Sequence, residues 1–357
     1  MTESNGAESM GSQDTFSTSS ALQSDEEFEG WFLSELMQAA PQVHELYPDL
    51  FVRCAVAVTN WRKRYRDDRP LWLRLFRAEK VVKEVVESIP VISLVEDWMD
   101  RHQDLNNPVT IIDLCSGKGF LSMLLSEILP ADRVNKCFLV DKAWPMCHGK
   151  TLAHHVSWEH IYGSEKDVEG PRYYETWPIP LVTSKVNLNK KQQIMSMINR
   201  FGTNEHGPVL ILAVHLCGVL SIRALNLFRM LPTARFVVLK PCCLPDIRLT
   251  RDLDEFEIGS YRFPTKEVCA RGKWKSKTAN NASESKWDGP ARWKLKGKFD
   301  KWCFYLFEAL NNGMGDGGMV PTDEEEMYCL PVTSTRQFDV PLQTNGGFQN
   351  TFLYAER

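Results

Sequence analysis

The chain has 357 residues, 43% hydrophobic and 25% charged, with a formal net charge of −4. This is the composition of an ordinary globular protein, long enough for one large domain with appendages or two modest ones. The near-neutral balance excludes a global field for a polyanionic partner, so any nucleic-acid surface must be local.

Residues 1–26 are rich in Ser, Thr, Glu and Asn, lack an apolar core of the kind a secretory signal needs, and are expected to form a disordered tail. No run of about 18 apolar residues occurs, so no membrane span is expected. The 10 cysteines contain no CxxC pair and read as reduced thiols. A cytoplasmic or nuclear location is the expectation. Oligomeric state is left open.

From residue 27 to 105 the pattern is helical. Phe28, Trp31, Phe32 and Leu36 share one face; so do Phe51, Cys54, Ala55 and Val58, then Val81, Val82, Val85, Val86 and Ile89. Pro41, Pro48, Pro70 and Pro90 divide the region into short helices.

Residues 106–357 then alternate strands with helices. "VTIIDL" and "KCFLVD" read as strands around the helix that "GFLSMLLSEIL" begins. "VSWEHIY" is a third candidate strand, "VLILAVH" a fourth and "RFVVLK", after the helix "LSIRALNLFRML", a fifth. Such continuous apolar runs suit strands buried on both faces of a parallel sheet. An irregular, basic, Trp-containing insertion follows at about 246–297. A helix comes next, with Phe299, Trp302, Cys303, Leu306, Phe307 and Leu310 on one stripe. "MYCLPVT" and "FQNTFLYAE", with "NGG" before the latter, then suggest an antiparallel hairpin. An α/β domain with a parallel sheet ending in an antiparallel β-hairpin is the Rossmann-like arrangement of class I S-adenosylmethionine-dependent methyltransferases.

The turn "DLCSGKGFLS" does not by its glycines separate a dinucleotide from another adenosine ligand. Asp113 does. A pyrophosphate beside that carboxylate would cost about 4 kcal/mol per like-charge pair at an effective dielectric of roughly 20, whereas the sulfonium and ammonium of S-adenosylmethionine suit it. A P-loop is excluded because no Gly-Lys-Ser/Thr closes the turn. Asp141, ending the second strand, is placed to accept ribose hydroxyls, as acids at this position also do for nicotinamide cofactors. The expected cofactor site is Asp113, Cys115, Gly117, Gly119, Asp141 and Lys142.

Ligands of such sheets lie outside the carboxyl ends of the strands. There the fourth strand carries His215 and Cys217 and the fifth carries Lys240, Cys242 and Cys243. His215 is a candidate general base, or a histidine that shapes its loop. Lys240 is a candidate for orienting the acceptor or, desolvated, for acting as base, or a strand-end lysine reaching solvent. The three cysteines are candidate nucleophiles, as in cytosine-C5 RNA methyltransferases, or small thiols packed at crowded strand ends. Cys147, His148, His154, His155 and His160 fit no zinc spacing, and no residue is assigned to a metal.

"IIDLCSGKGFLS", "LVDKAWP", "LAVHLCGVLS" and "VVLKPCCLP", in this order, resemble a broad methyltransferase-domain family of eukaryotic proteins. "HLCG" and "CC" also resemble the eukaryotic tRNA 2′-O-methyltransferases that act on the acceptor stem. The likeness covers roughly residues 105 to 357. The chain lacks the N-terminal Cys/His zinc element of those tRNA enzymes, continues its cysteine pair as "LPDIRLT", and has Cys115 where the turn usually has its first glycine. The resemblance implies methylation of RNA, tRNA leading, at a ribose 2′-hydroxyl.

Arg271 to Lys301 carries ten Lys/Arg against three Asp/Glu, interleaved with Trp274, Trp287 and Trp293. Basic charge tracks phosphates and tryptophans stack on bases, which makes RNA the expected partner of this segment. "WRKRYR", Trp61 to Arg66, reads as a solvated face. Two other readings stand beside RNA methylation. One is a non-catalytic cofactor-binding protein serving as an RNA-binding or assembly factor; the other is a small-molecule or protein methyltransferase.

Overall fold

The computed structural model describes residues 24–105, 107–146, 155–163, 172–248, 250–276, 285–313, 319–321, 326–328, 330–342 and 349–357. The expected tail therefore lies outside the described residues up to residue 23. Ser24 caps the first helix, α1 (Asp25–Ala39). Its hydroxyl accepts from the Glu27 amide and the Glu27 carboxylate accepts from the Ser24 amide, both at 3.0 Å. This reciprocal cap satisfies donors the helix cannot pair internally.

Helices α2 (Pro41–Leu46), α3 (Pro48–Arg64), α4 (Arg69–Leu75) and α5 (Ala78–Arg101) follow. Pro41 and Pro48 open α2 and α3, and Pro70 sits in the first turn of α4, where a missing amide costs nothing. Pro90 differs from expectation: α5 runs through it for 24 residues, with Pro90 buried among apolar neighbours. Tertiary packing on both sides outweighs the local penalty.

The central sheet has seven strands. β1 (Val109–Leu114), β2 (Val134–Asp141), β3 (Leu181–Lys185), β4 (Val209–Cys217) and β5 (Ala234–Cys243) are parallel; β6 (Ser334–Asp339) and β7 (Thr351–Glu356) form an antiparallel hairpin. The order is β6-β7-β5-β4-β1-β2-β3, with β7 antiparallel to β5. This is the class I methyltransferase topology expected from the sequence. The strand order reverses between β1 and β4, which opens a crevice at their carboxyl ends.

Two strand assignments are corrected. "VSWEHIY" is not a strand: Glu159–Tyr162 is a helical turn, α7, and the third strand is "LVTSK" of β3. The aromatics that alternate along that segment also stand four apart, and Trp158 packs edge-on against Tyr162 across one helical turn. "MYCLPVT" is not the partner strand of the last one either, although its final residue, Thr333, donates to the Glu356 carbonyl. Glu326–Tyr328 belongs to a separate ribbon with Met319–Pro321, and β7 pairs instead with "STRQFD" of β6. That edge strand is largely solvent-facing and has too little apolar alternation to read as a strand. "NGG" lies outside the described residues.

Both sheet faces are covered, which is why the strands read as unbroken apolar runs. On one face Ile111, Leu139, Leu210, Val214 and Phe236 pack under α1, α3, α5 and α6 (Phe120–Ile128). On the other, Ile112, Phe138, Ile211 and Val237 meet α8 (Lys191–Phe201), α9 (Leu220–Met230) and α11 (Lys296–Asn312). The N-terminal helices thus build one layer of the domain. The basic insertion contains two small ribbons, Glu255–Ile258 with Tyr261–Pro264 and Lys273–Ser276 with Ser285–Asp288, and the short helix α10 (Thr265–Val268).

A buried ion pair joins α3 to α6. Arg64 lies 2.7 Å from Glu127 with both side chains under 10% exposed, donates to Thr176, and stacks 3.8 Å over the Trp177 ring. Arg62 and Arg66 both pair with Asp25, so three arginines of "WRKRYR" face partners within the fold. Because removing one member strands a buried charge, Glu127→Ala should lower the unfolding free energy by about 3 kcal/mol in chemical denaturation. The double variant Arg64→Met/Glu127→Leu should recover most of it. A single variant no weaker than the double would show that the pair does not hold the helical layer.

Candidate functional site

The turn between β1 and α6 holds three residues in the left-handed region: Cys115 (φ 57°), Gly117 (φ 56°) and Gly119 (φ 83°). A Cβ on Gly119 would meet Leu139 Cδ2 at 2.2 Å, so this glycine is needed to seat the helix on the sheet. A Cβ on Gly117 would meet nothing within 4 Å. Gly117 therefore faces open space above the strand tips, the cradle an adenosine ligand needs. Cys115 bears the strain of the first position with a side chain present, at a cost of about 1–2 kcal/mol.

Asp113 is enclosed beneath this turn, only 3% exposed, and accepts from Ser122 Oγ at 2.8 Å. Burial pushes its carboxyl up to about 7; the Ser122 hydrogen bond opposes this, and the charges of Asp141 and Glu84 add to it. A positive ligand group nearby would restore its ionised form. The carboxylate acts through the turn it supports more than by lying open to a ligand. Asp141 accepts from the Gly117 amide (3.2 Å) and the Ala143 amide (2.8 Å), leaving lone pairs on both oxygens for ribose hydroxyls. Lys142 is exposed beside it, lining a cleft of ≈ 550 Å³ with Met146, Lys185, Asn187 and Gln193. These residues fit S-adenosylmethionine: an acid, a left-handed turn with an open Cα, and a second acid at the end of β2.

His160 supports the turn from below. Burial pushes it down to about 4, so its neutral ring donates from Nε2 to the Lys118 carbonyl at 2.8 Å. Of the histidine- and cysteine-rich run, residues 147–154 lie outside the described residues.

At the tips of β4 and β5 the structure joins His215 and Lys240 through residues that sequence reasoning missed. His215 Nε2 lies 3.1 Å from Glu87 and 3.3 Å from Glu84; Lys240 Nζ lies 3.4 Å from the other oxygen of Glu87. Glu87 is 5% exposed and Lys240 1%, so Lys240 does not reach solvent. Both acids come from α5. Burial pushes the Glu84 carboxyl up, but the His215 hydrogen bond and the charges of His215, Lys83 and Lys80 outweigh it and hold it below its ordinary range. With Nε2–H donating to these carboxylates, Nδ1 of His215 keeps the lone pair, the arrangement of an oriented base. An acid inside the apolar run "VVESIPVI" was the available signal for Glu87.

The three tip cysteines also come together. Cys217 Sγ is 3.1 Å from Cys242 Sγ and 3.6 Å from Cys243 Sγ, and the latter two are 3.8 Å apart. Hydrogen bonds from Cys217 and Cys242 pull Cys243 below the ordinary thiol range, against burial and with help from the Arg292 and His215 charges. Cys242 is held above that range by the same contacts and by burial. Cys217 is likewise held above that range, so of the three thiols Cys243 is the one that the cluster favours as thiolate.

A rim of exposed cations borders the turn: Arg74, Arg77, Lys80 and Lys83. Burial, then the charges of Lys80, Arg77 and Arg74, pushes Lys118 down to about 8. A cleft of ≈ 440 Å³ between α1 and α5 is lined by Ala39, Val82, Val86 and Leu342 together with Glu35, Glu79, Lys83 and Glu87.

The fold is that of a class I methyltransferase. Residues 82–249 match a family model described as a methyltransferase domain, beginning inside α5 and ending just past β5. The chain carries an S-adenosylmethionine-dependent methyltransferase domain. No curated protein sequence matches it. Among solved structures it is similar to the CurJ carbon methyltransferase (11% identity, 91% of this chain and 69% of that one, TM-score 0.37). It is also similar to magnesium protoporphyrin IX methyltransferase, ChlM, from Synechocystis PCC 6803, solved with bound SAH (13%, 83% and 92%, TM-score 0.33). A cyclopropane-fatty-acyl-phospholipid synthase-like protein from Lactobacillus casei is a further similar chain (10%, 78% and 91%, TM-score 0.28). No helix among the described residues is long and apolar enough to cross a membrane.

The two glycines separate stability from binding. Gly119→Ala should cost at least about 2 kcal/mol of stability through backbone strain and the clash with Leu139. Gly117→Ala should cost about 1 kcal/mol yet weaken S-adenosylmethionine at least tenfold by calorimetry, as should Asp141→Ala, about 1.4 kcal/mol. Equal or tighter binding of NAD by the wild type would contradict the cofactor assignment.

Proposed function

We propose that the protein methylates a hydroxyl of RNA, with a tRNA ribose 2′-hydroxyl as the leading acceptor. The observation that carries this reading is His215, held by Glu84 and Glu87 at the tip of β4 with one ring nitrogen free to take a proton. A hydroxyl acceptor needs such a base; the transferred methyl itself is supplied by the sulfonium of S-adenosylmethionine. The acceptor oxygen forms its bond to the methyl carbon as the carbon–sulfur bond breaks, and His215 Nδ1 takes the hydroxyl proton. Glu87 and Glu84 stabilise the imidazolium so formed, and Lys240 keeps Glu87 in place.

RNA as acceptor is supported by the cationic rim beside the turn and by the basic insertion, where Trp293 is 70% exposed with Lys294 5.2 Å from its ring. Trp302, at the end of the same stretch, is core. The "HLCG" likeness supports a ribose hydroxyl. A small-molecule acceptor is the second reading, favoured by the cleft between α1 and α5 that Glu87 helps to line.

Methyl-labelled cofactor incubated with total RNA, total protein and small metabolites should place the label in RNA, in alkali-resistant linkages. His215→Gln should lower turnover at least about a hundredfold with cofactor affinity unchanged. Label appearing only in small molecules, or an enzyme–RNA adduct that survives denaturing gels, would overturn the hydroxyl reading.

Lys296, Lys298 and Lys301 already bond Asp300, backbone carbonyls and Glu267, so phosphate contacts are assigned to other lysines of the segment. Reversing Lys273, Lys275, Lys286 and Lys294 should flatten the salt dependence of RNA binding by roughly 0.7 per lost contact. An unchanged slope would leave the segment as a solvated loop.

A further inference from the structure

The β4–β5 register shifts once at the start of the pairing, between Val209 and Leu210, and twice at its end, between Val214 and Leu216 and again before Cys217. His215 sits at this bulge with φ 67°, rare for a residue with a side chain. Consecutive residues of a strand normally face opposite sides, so Cys242 and Cys243 should not both meet a third thiol. The bulge makes it possible by turning Cys217 toward the end of β5. Gly218 (φ 55°) then donates to the Cys243 carbonyl at 3.1 Å, and a Cβ there would press on Pro245 at 3.1 Å. Gln349 donates to the Cys242 carbonyl and accepts from Arg292 at 2.7 Å, fixing the other side. Strain held this firmly at a ligand-binding edge marks a built site.

Sulfurs bound to one tetrahedral zinc at about 2.3 Å stand about 3.8 Å apart. Two of the three separations here, 3.6 and 3.8 Å, already match, and the third, 3.1 Å, needs to open by well under 1 Å. His215 is turned away toward Glu84 and Glu87 and supplies no fourth ligand. Cys217 is exposed while its partners are half-buried, so the open side faces solvent. We propose that Cys217, Cys242 and Cys243 form a three-thiolate zinc site at the shared tip of β4 and β5, with a fourth position open to an exogenous oxygen or sulfur ligand. Three protein ligands and one open position are the pattern of reactive rather than purely structural zinc. The charge of the three thiolates, one unit beyond that of the metal, is offset by Arg292, whose field reaches Cys243. The separation of 25 residues between Cys217 and the Cys242–Cys243 pair conceals the set from any spacing rule. The site stands apart from the choice of RNA as acceptor.

The full chain, purified under reduction without chelator and loaded with zinc, should hold one zinc per molecule by elemental analysis. Cys217→Ser, Cys242→Ser and Cys243→Ser should each lower that affinity at least about a hundredfold, and S-adenosylmethionine binding by calorimetry shows that each variant is folded. Cobalt loading should give thiolate-to-cobalt charge-transfer bands and tetrahedral ligand-field bands, and free imidazole should shift the latter by entering the fourth position. Zinc uptake that survives all three substitutions, absence of zinc, or a Cys217–Cys242 disulfide as the stable form of the isolated protein would overturn the proposal. Cobalt bands indifferent to imidazole would overturn the open position.

Discussion

Glu87 is the residue on which the two halves of the molecule depend. It is buried on α5, yet it meets the imidazole of β4 through one oxygen and the ammonium of β5 through the other. A carboxylate so enclosed is tolerable only among cations and donors; Lys83, one turn earlier on α5, also bonds it at 3.1 Å, and Lys240 at 1% exposure depends on it in turn. The contact ties the N-terminal helical layer to the strand tips where chemistry occurs.

The same carboxylate gives His215 its orientation. Its backbone is strained at the bulge, and an unanchored side chain there would have little reason to hold one rotamer. Two acids one helical turn apart, at 84 and 87, present a fixed acceptor surface to Nε2. The strained backbone and the anchored ring over-determine each other, as expected where conformation serves function. Cys115, strained at the neighbouring tip of β1, has a different support: the turn around it is closed by Asp141, by the Ser116 amide to the Val140 carbonyl and by Gly119 to the Ser116 carbonyl.

Much of this was legible in the sequence, for identifiable reasons. β1, β2, β4 and β5 are buried on both faces, so their apolar runs state their place directly. The acid-glycine turn and Asp141 are local features whose spacing already implies a strand-end site. β3 and β6 escaped because one is short and partly exposed and the other is a polar edge. Glu84 and Glu87 escaped for a deeper reason. Acids three apart beside Lys80 and Lys83 look like a solvated helix face, and only contacts spanning more than a hundred residues make them part of a site. The cysteines were visible as two separate words; their meeting depends on a one-residue bulge that no periodicity encodes.

The two tip clusters divide the polar work between hard and soft groups. On the α5 side stand carboxylates, an imidazole and an ammonium; on the Cys217 side stand three thiols within 3.8 Å of one another. His215 stands between them, its ring bonded to the carboxylates and its field reaching Cys243. The β4 bulge serves both arrangements, because the strand end whose register it shifts brings His215 to the acids of α5 and Cys217 to the end of β5.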